Sequence, residues 1–185
     1  MKVLAPALRI YCVLLVLALV WIFFLGRLSW NLFVDVRVEN LPRVILLTLG
    51  TSSSMVALSL YCGRNFLWAQ QLEEEFAKIL VPMKLWEITA IGLLSGIAEE
   101  LFFRGMLYPA IKQAGFPRLA VWGVSLLFAL VHFNLVSFVP LFVLAILLTL
   151  LYEHTDNLLA PIAAHALFNA LNFGMLYLFE KQMTQ

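Results

Sequence analysis

Between Trp86 and Lys112 the chain reads as one apolar helix interrupted by three ionisable side chains, Glu99, Glu100 and Arg104. A charge at the centre of a membrane helix costs on the order of 3 kcal/mol on insertion scales. Three on one helix mark a polar site inside the bilayer, and the rest of the fold must accommodate it. Few architectures can. In lipid every backbone polar group must be satisfied internally, so a chain of this kind is read as a bundle of helices.

Composition sets the same frame. The 185 residues are 63% hydrophobic and only 12% charged, with a mean hydropathy of +0.96. Soluble domains are roughly half apolar and a quarter charged. A net charge of +1 gives no basis for nucleic acid as a partner. Cys12 and Cys62 both lie in apolar stretches and read as small buried residues rather than a disulfide or a metal site.

The expected fold is all-α, a polytopic membrane bundle of about six transmembrane helices with one interfacial amphipathic helix. The spans read as 10–26, 44–63, 86–112, 118–134, 137–153 and 158–179. The first is preceded by Lys2 and Arg9 but lacks a small-x-small cleavage site, so it reads as retained. Thr51-Ser52-Ser53-Ser54 reads as helix-packing surface. In 64–84, Trp68, Leu72, Phe76 and Leu80 recur every four residues while Glu73, Glu74 and Glu75 point elsewhere, the pattern of a helix lying in the interface. Asp156 or Asn157 is expected to cap the last helix, and Trp30, Trp86 and Trp122 sit near span ends, where aromatic belts form. Basic residues divide six to five between the two sides, so the positive-inside rule selects no orientation.

Within 86–112, Gly92, Gly96, Glu100 and Arg104 lie four apart on one stripe. The two glycines let a neighbouring backbone approach closely. Glu100 and Arg104 are spaced for an i,i+4 ion pair. Glu99, rotated about 100° away with Ser95, Phe103 and Met106, needs another partner. His132, His165 and Asn169 supply candidates. At about 1.5 Å per residue, counted from the side holding Lys112 and Arg118, Glu99 lies roughly 20 Å deep, His132 about 21 Å, His165 about 12 Å and Asn169 about 18 Å. Each alone has a structural reading, as a helix ion pair, a core histidine or polar glue between helices. Together they form a polar centre at overlapping depth. His154, beside Glu153 and Asp156, reads as a loop histidine without a role.

Three motifs then stand in order. Glu99-Glu100-Leu101-Phe102-Phe103-Arg104 resembles the EExxxR motif of the CAAX prenyl protease 2 and bacteriocin-processing (CPBP, or Abi) family of intramembrane proteases. Phe128-Ala129-Leu130-Val131-His132 resembles the family's FxxxH, and His165-Ala166-Leu167-Phe168-Asn169 its HxxxN. The likeness covers about 86–173. One departure is Asp156, where many relatives place glycine, so that the turn there must use Asn157 or another conformation.

Length and hydropathy read as a single transmembrane domain over 1–185 with two additional spans and an interfacial segment in 1–85, and the resemblance implies a protease core at 86–181. It implies that Glu99 and His132 hold and activate a water, that His165 and Asn169 donate to the oxyanion, and that Glu100 and Arg104 support them from behind. No cofactor is favoured; in the competing reading Glu99, His132 and His165 ligate zinc with an open fourth position. HExxH is absent from the chain. The implied substrate is a membrane-embedded or lipid-modified peptide, the other partners are membrane lipids, and the expected location is a bacterial cytoplasmic membrane. Two other classes stay open on sequence: a non-catalytic immunity or scaffold protein of the same fold, and a proton or ion relay.

Overall fold

The computed structural model of the chain describes residues 12–13, 15–20, 41–133 and 137–183. Among them there is no strand, and nearly all are helical. We number the helices from Leu41: α1 (Leu41–Asn65), α2 (Leu67–Leu80), α3 (Leu85–Glu100), a π-helical segment (Leu101–Leu107), α4 (Tyr108–Gln113), α5 (Pro117–Leu130), α6 (Phe138–Thr155) and α7 (Leu159–Met183). Most of the first expected span, 10–26, lies outside the described residues, as does Trp30.

Helix α7 is the hub, packed against α3, α1, α6 and α2, while α5 packs on α6. Small residues set the closest approach. A Cβ added at Gly96 would stand 2.8 Å from the Ala166 backbone nitrogen, and one at Gly92 would meet Ala170 N at 3.3 Å. The glycine stripe therefore lies against α7. Of the hydroxyl run in α1, Ser52 is buried and donates to Thr48 O at 3.0 Å and to Ala164 O of α7 at 3.2 Å. Ser53 and Ser54 are exposed.

Among the described residues three helices are long and apolar enough to cross a membrane: Leu41–Asn65, Phe138–Thr155 and Leu159–Phe179. A fourth span counts only if α2 and Leu85–Gln113, which meet at 118°, are taken together. Of the five expected spans that fall on described residues, 44–63, 137–153 and 158–179 correspond to these three helices. Helix α5 ends at Leu130, and 14 residues are shorter than the roughly 20 a bilayer core needs. The α3–α4 run carries the very charges that define the site. The chain is a membrane protein, with these helices as its apolar body.

Local chemistry explains the breaks. Pro109 has no N–H to donate, and one residue earlier the Tyr108 N–H reaches back five residues to Phe103 O, continuing the π register. Gly115 (φ 94°) turns the chain into α5, where Pro117 occupies the first turn. After α6, Asp156 itself takes the left-handed conformation (φ 47°) that glycine would otherwise supply, which a short polar side chain tolerates. Asn157 then caps α7, its Oδ1 accepting from Leu159 N at 2.7 Å.

The acidic triplet of α2 divides. Glu74 and Glu75 are exposed, with Glu75 paired to Lys78 at 2.6 Å. Glu73 instead is half-buried and lies against Gly63 of α1. Its place on the packed side corrects the expectation that all three face away. Gly63 has no side chain to hold α2 off. Phe76, expected on the buried stripe, is partly exposed and leans on Phe173 with ring centroids 6.0 Å apart.

Candidate active site

The site is assembled from three faces. Helix α3 ends on Glu99 and Glu100, both buried among its last residues. The π segment carries Arg104 one turn further, fully buried. Its Nη1 donates to Glu100 Oε1 at 2.7 Å, with both side chains sealed from solvent. That pairing matches the spacing read from sequence. Arg104 also reaches α6, where Nη2 donates to Ala145 O at 2.6 Å and Nε to Thr149 Oγ1 at 3.3 Å. Thr149 in turn donates to Ala145 O at 2.8 Å. The Phe128 ring lies under the guanidinium, 5.2 Å from its carbon, close enough for a cation–π contact.

His165 enters from α7. Its Nδ1 lies 2.9 Å from Glu100 Oε1, and a carboxylate that already accepts from Arg104 can only accept again. Nδ1 therefore carries the proton, and in the neutral ring Nε2 holds a lone pair. His132, just past the end of α5, obeys the same logic. Its Nδ1 lies 2.7 Å from Phe128 O, and a carbonyl only accepts. Both Nε2 atoms face one oxygen: Glu99 Oε2 stands 3.9 Å from His132 Nε2 and 4.0 Å from His165 Nε2. The partner that Glu99 lacked within its own helix comes from two others. The helical depth estimate had separated Glu99 and His165 by roughly 8 Å; the tertiary fold brings them together.

Three acceptors converging without a donor between them define a space for a proton-bearing species or a cation. Two imidazole nitrogens and a carboxylate oxygen suit zinc chemically. Tetrahedral bonds of about 2.0–2.1 Å place donors roughly 3.3 Å apart, and the separations here are wider. Among the described residues no group of three or more His, Cys, Asp or Glu is spaced to hold a metal ion. A water matches better, because hydrogen bonds of about 2.8 Å to Glu99 and one histidine span a gap of this size.

Asn169 is one turn from His165 but is turned to another partner. Its Nδ2 donates to Ser95 Oγ at 2.9 Å, and Ser95 donates to Gly92 O at 3.1 Å. One Nδ2 hydrogen is thereby committed, and the second remains for a ligand. Ser95 and Thr149 were not singled out as site residues from sequence. Ser95 has a signal, one turn before Glu99 on the same face. Thr149 is the first polar side chain after the apolar run from Phe138 to Leu148. His154, given no role, stands at the far end of α6 from the N-terminal half of that run.

With this geometry in place, the comparisons with known proteins are specific. The model of the type II CAAX prenyl endopeptidase Rce1-like family matches residues 81–171. Residues 81–171 are thus similar to an Rce1-like domain. The matched segment holds Glu99, Glu100, Arg104, His132, His165 and Asn169, and it agrees with the CPBP resemblance of the three motifs. At family level the match supports a CAAX-type intramembrane protease. The uncharacterized protein YpbD of Bacillus subtilis (strain 168) is 35% identical to the chain over 98 residues, covering 51% of this chain and 48% of YpbD. The chain thus spans about half the length of this curated relative. No solved structure matches.

Proposed function

We propose that the protein is an intramembrane endopeptidase of a bacterial cytoplasmic membrane. In this reading it hydrolyses a peptide bond in a membrane-embedded or lipid-modified substrate. The observation that carries it is the convergence of Glu99 Oε2 with the Nε2 atoms of His132 and His165, with Glu99 and His165 buried. A water held there donates one hydrogen to Glu99 and the other to a histidine lone pair. Glu99 takes a proton as the water oxygen attacks the scissile carbonyl, then returns it to the departing amine, so protons balance over the cycle. The free Nδ2 hydrogen of Asn169 stabilises the oxyanion; losing one such donor typically costs about 100-fold in rate or more. His165 joins as a second donor only when its Nε2 has gained a proton. Glu100, held by Arg104, keeps the imidazole ring in orientation.

A zinc-dependent site formed by Glu99, His132 and His165 is the second reading. It is favoured by the two Nε2 lone pairs, since metal-bound histidines characteristically donate their other N–H to a carboxylate or carbonyl. The wide donor separations count against it.

The test compares peptide termini generated in membranes expressing wild type and Glu99→Ala, with and without a chelator. Products seen with wild type alone, unchanged by chelation, are the expected result. Products lost on chelation and restored by zinc would transfer the chemistry to the metal reading. Identical termini in both membranes at equal protein level would favour a non-catalytic scaffold.

A further inference from the structure

The residue after His132 is unusual in two independent ways. Phe133 has a φ of +50°, a left-handed conformation that is a genuine outlier for a bulky side chain. It also exposes 94% of its surface, more than any other large apolar residue described. The backbone geometry has a local cause. Val131 N–H closes on Leu127 O at 3.0 Å and Phe133 N–H on Leu130 O at 3.1 Å, a turn that carries the chain through His132 after α5 ends at Leu130. Glycine is the usual residue at such a helix end, because it adopts this conformation without strain. The chain has an aromatic ring there instead, and the ring gains no burial within the protein.

Its position relates it to the site. The His132 side chain is 32% exposed, against 8% for Glu99 and 3% for His165. Solvent therefore reaches the three converging groups most readily at His132, and Phe133 is the next residue along the chain. Strained residues of this kind concentrate at active sites and ligand clamps.

We propose that Phe133 is a substrate-contacting residue whose ring packs against an apolar side chain flanking the scissile bond. The inference rests on the proteolytic reading above. A substrate chain crossing His132 to reach Glu99 passes the ring, and that contact supplies the burial the free protein lacks. Specificity for apolar residues beside the cut follows.

Glycine at position 133 separates this role from a structural one, because the two predict opposite signs. Phe133→Gly removes the ring and relieves the backbone, so the unfolding midpoint in detergent should hold or rise. The rate at which products dependent on Glu99 appear should fall by about tenfold or more, the scale of a lost apolar contact. Phe133→Leu should keep most of the rate. A Phe133→Gly protein that yields wild-type products at wild-type rate overturns the inference, as does a lowered midpoint, which would show that the ring packs within the protein. If wild type and Glu99→Gln give identical termini, the proteolytic reading itself fails and this inference with it. Products dependent on Glu99 but indifferent to residue 133 sink the Phe133 role alone.

Discussion

His165 Nδ1 donates to Glu100 Oε1 at 2.9 Å, while the same oxygen accepts from Arg104 Nη1 at 2.7 Å. One carboxylate oxygen thus links the buried ion pair to the histidine that faces Glu99. The sequence had suggested a division, with Glu100 and Arg104 making the charge tolerable and Glu99, His132, His165 and Asn169 forming the centre. The geometry joins the two groups through His165.

Glu99→Gln should abolish the Glu99-dependent products while leaving the fold intact. Glu99 is a buried carboxylate whose nearest described partners, at 3.9 and 4.0 Å, are beyond hydrogen-bond length. Neutralising it removes a poorly compensated charge, so the unfolding midpoint in detergent should equal or exceed that of wild type. A large fall in the midpoint would show that the carboxylate is structurally required.

Arg104→Met should destabilise by about 3–5 kcal/mol, because Glu100 would remain buried without its cation. Combining it with Glu100→Gln should recover part of that loss, since removing both charges of a buried pair is far milder than removing one. A double-mutant cycle on denaturation measures the coupling. Strict additivity would contradict the pairing.

Gly96→Ala tests the contact that brings α3 to α7. The added methyl meets Ala166 backbone at 2.8 and 2.9 Å, so a helix must move. A cost of about 1–3 kcal/mol is expected, with product formation falling further than stability because Glu99 is drawn away from His165. Gly50→Ala, with nothing within 4 Å of the new methyl, serves as the neutral control.

Ser95→Ala should leave the Asn169 amide without its partner. The buried donor then lacks an acceptor, at about 1–3 kcal/mol, and turnover should drop by about tenfold or more, as for other supporting partners of a site. Normal turnover in Ser95→Ala at unchanged protein level would remove Ser95 from the assembly that orients Asn169.

The Glu100–Arg104 pair was legible because helix periodicity alone puts residues four apart on one face. The glycine stripe was legible for the same reason, and it lies where the small-xxx-small pattern says it should. The contact of Arg104 with Ala145 O could not be read, because a backbone carbonyl carries no residue-specific signal. The length of α5 was misjudged. Its apolar run continues through Val131, and nothing in composition marks the turn after Leu130 that leads to the left-handed Phe133.

By itself, then, the sequence determined an all-helical membrane protein with six polar residues gathered around one region, and it determined which of them are neighbours along a helix. Those are consequences of hydropathy and of a 3.6-residue period. The tertiary structure alone decided that both Nε2 atoms face Glu99 Oε2, that Asn169 turns to Ser95 and that His165 leans on Glu100. Such contacts depend on the rotation and depth of one helix against another. Those follow from close packing at points such as Gly96 on Ala166, which no periodicity within a single helix encodes.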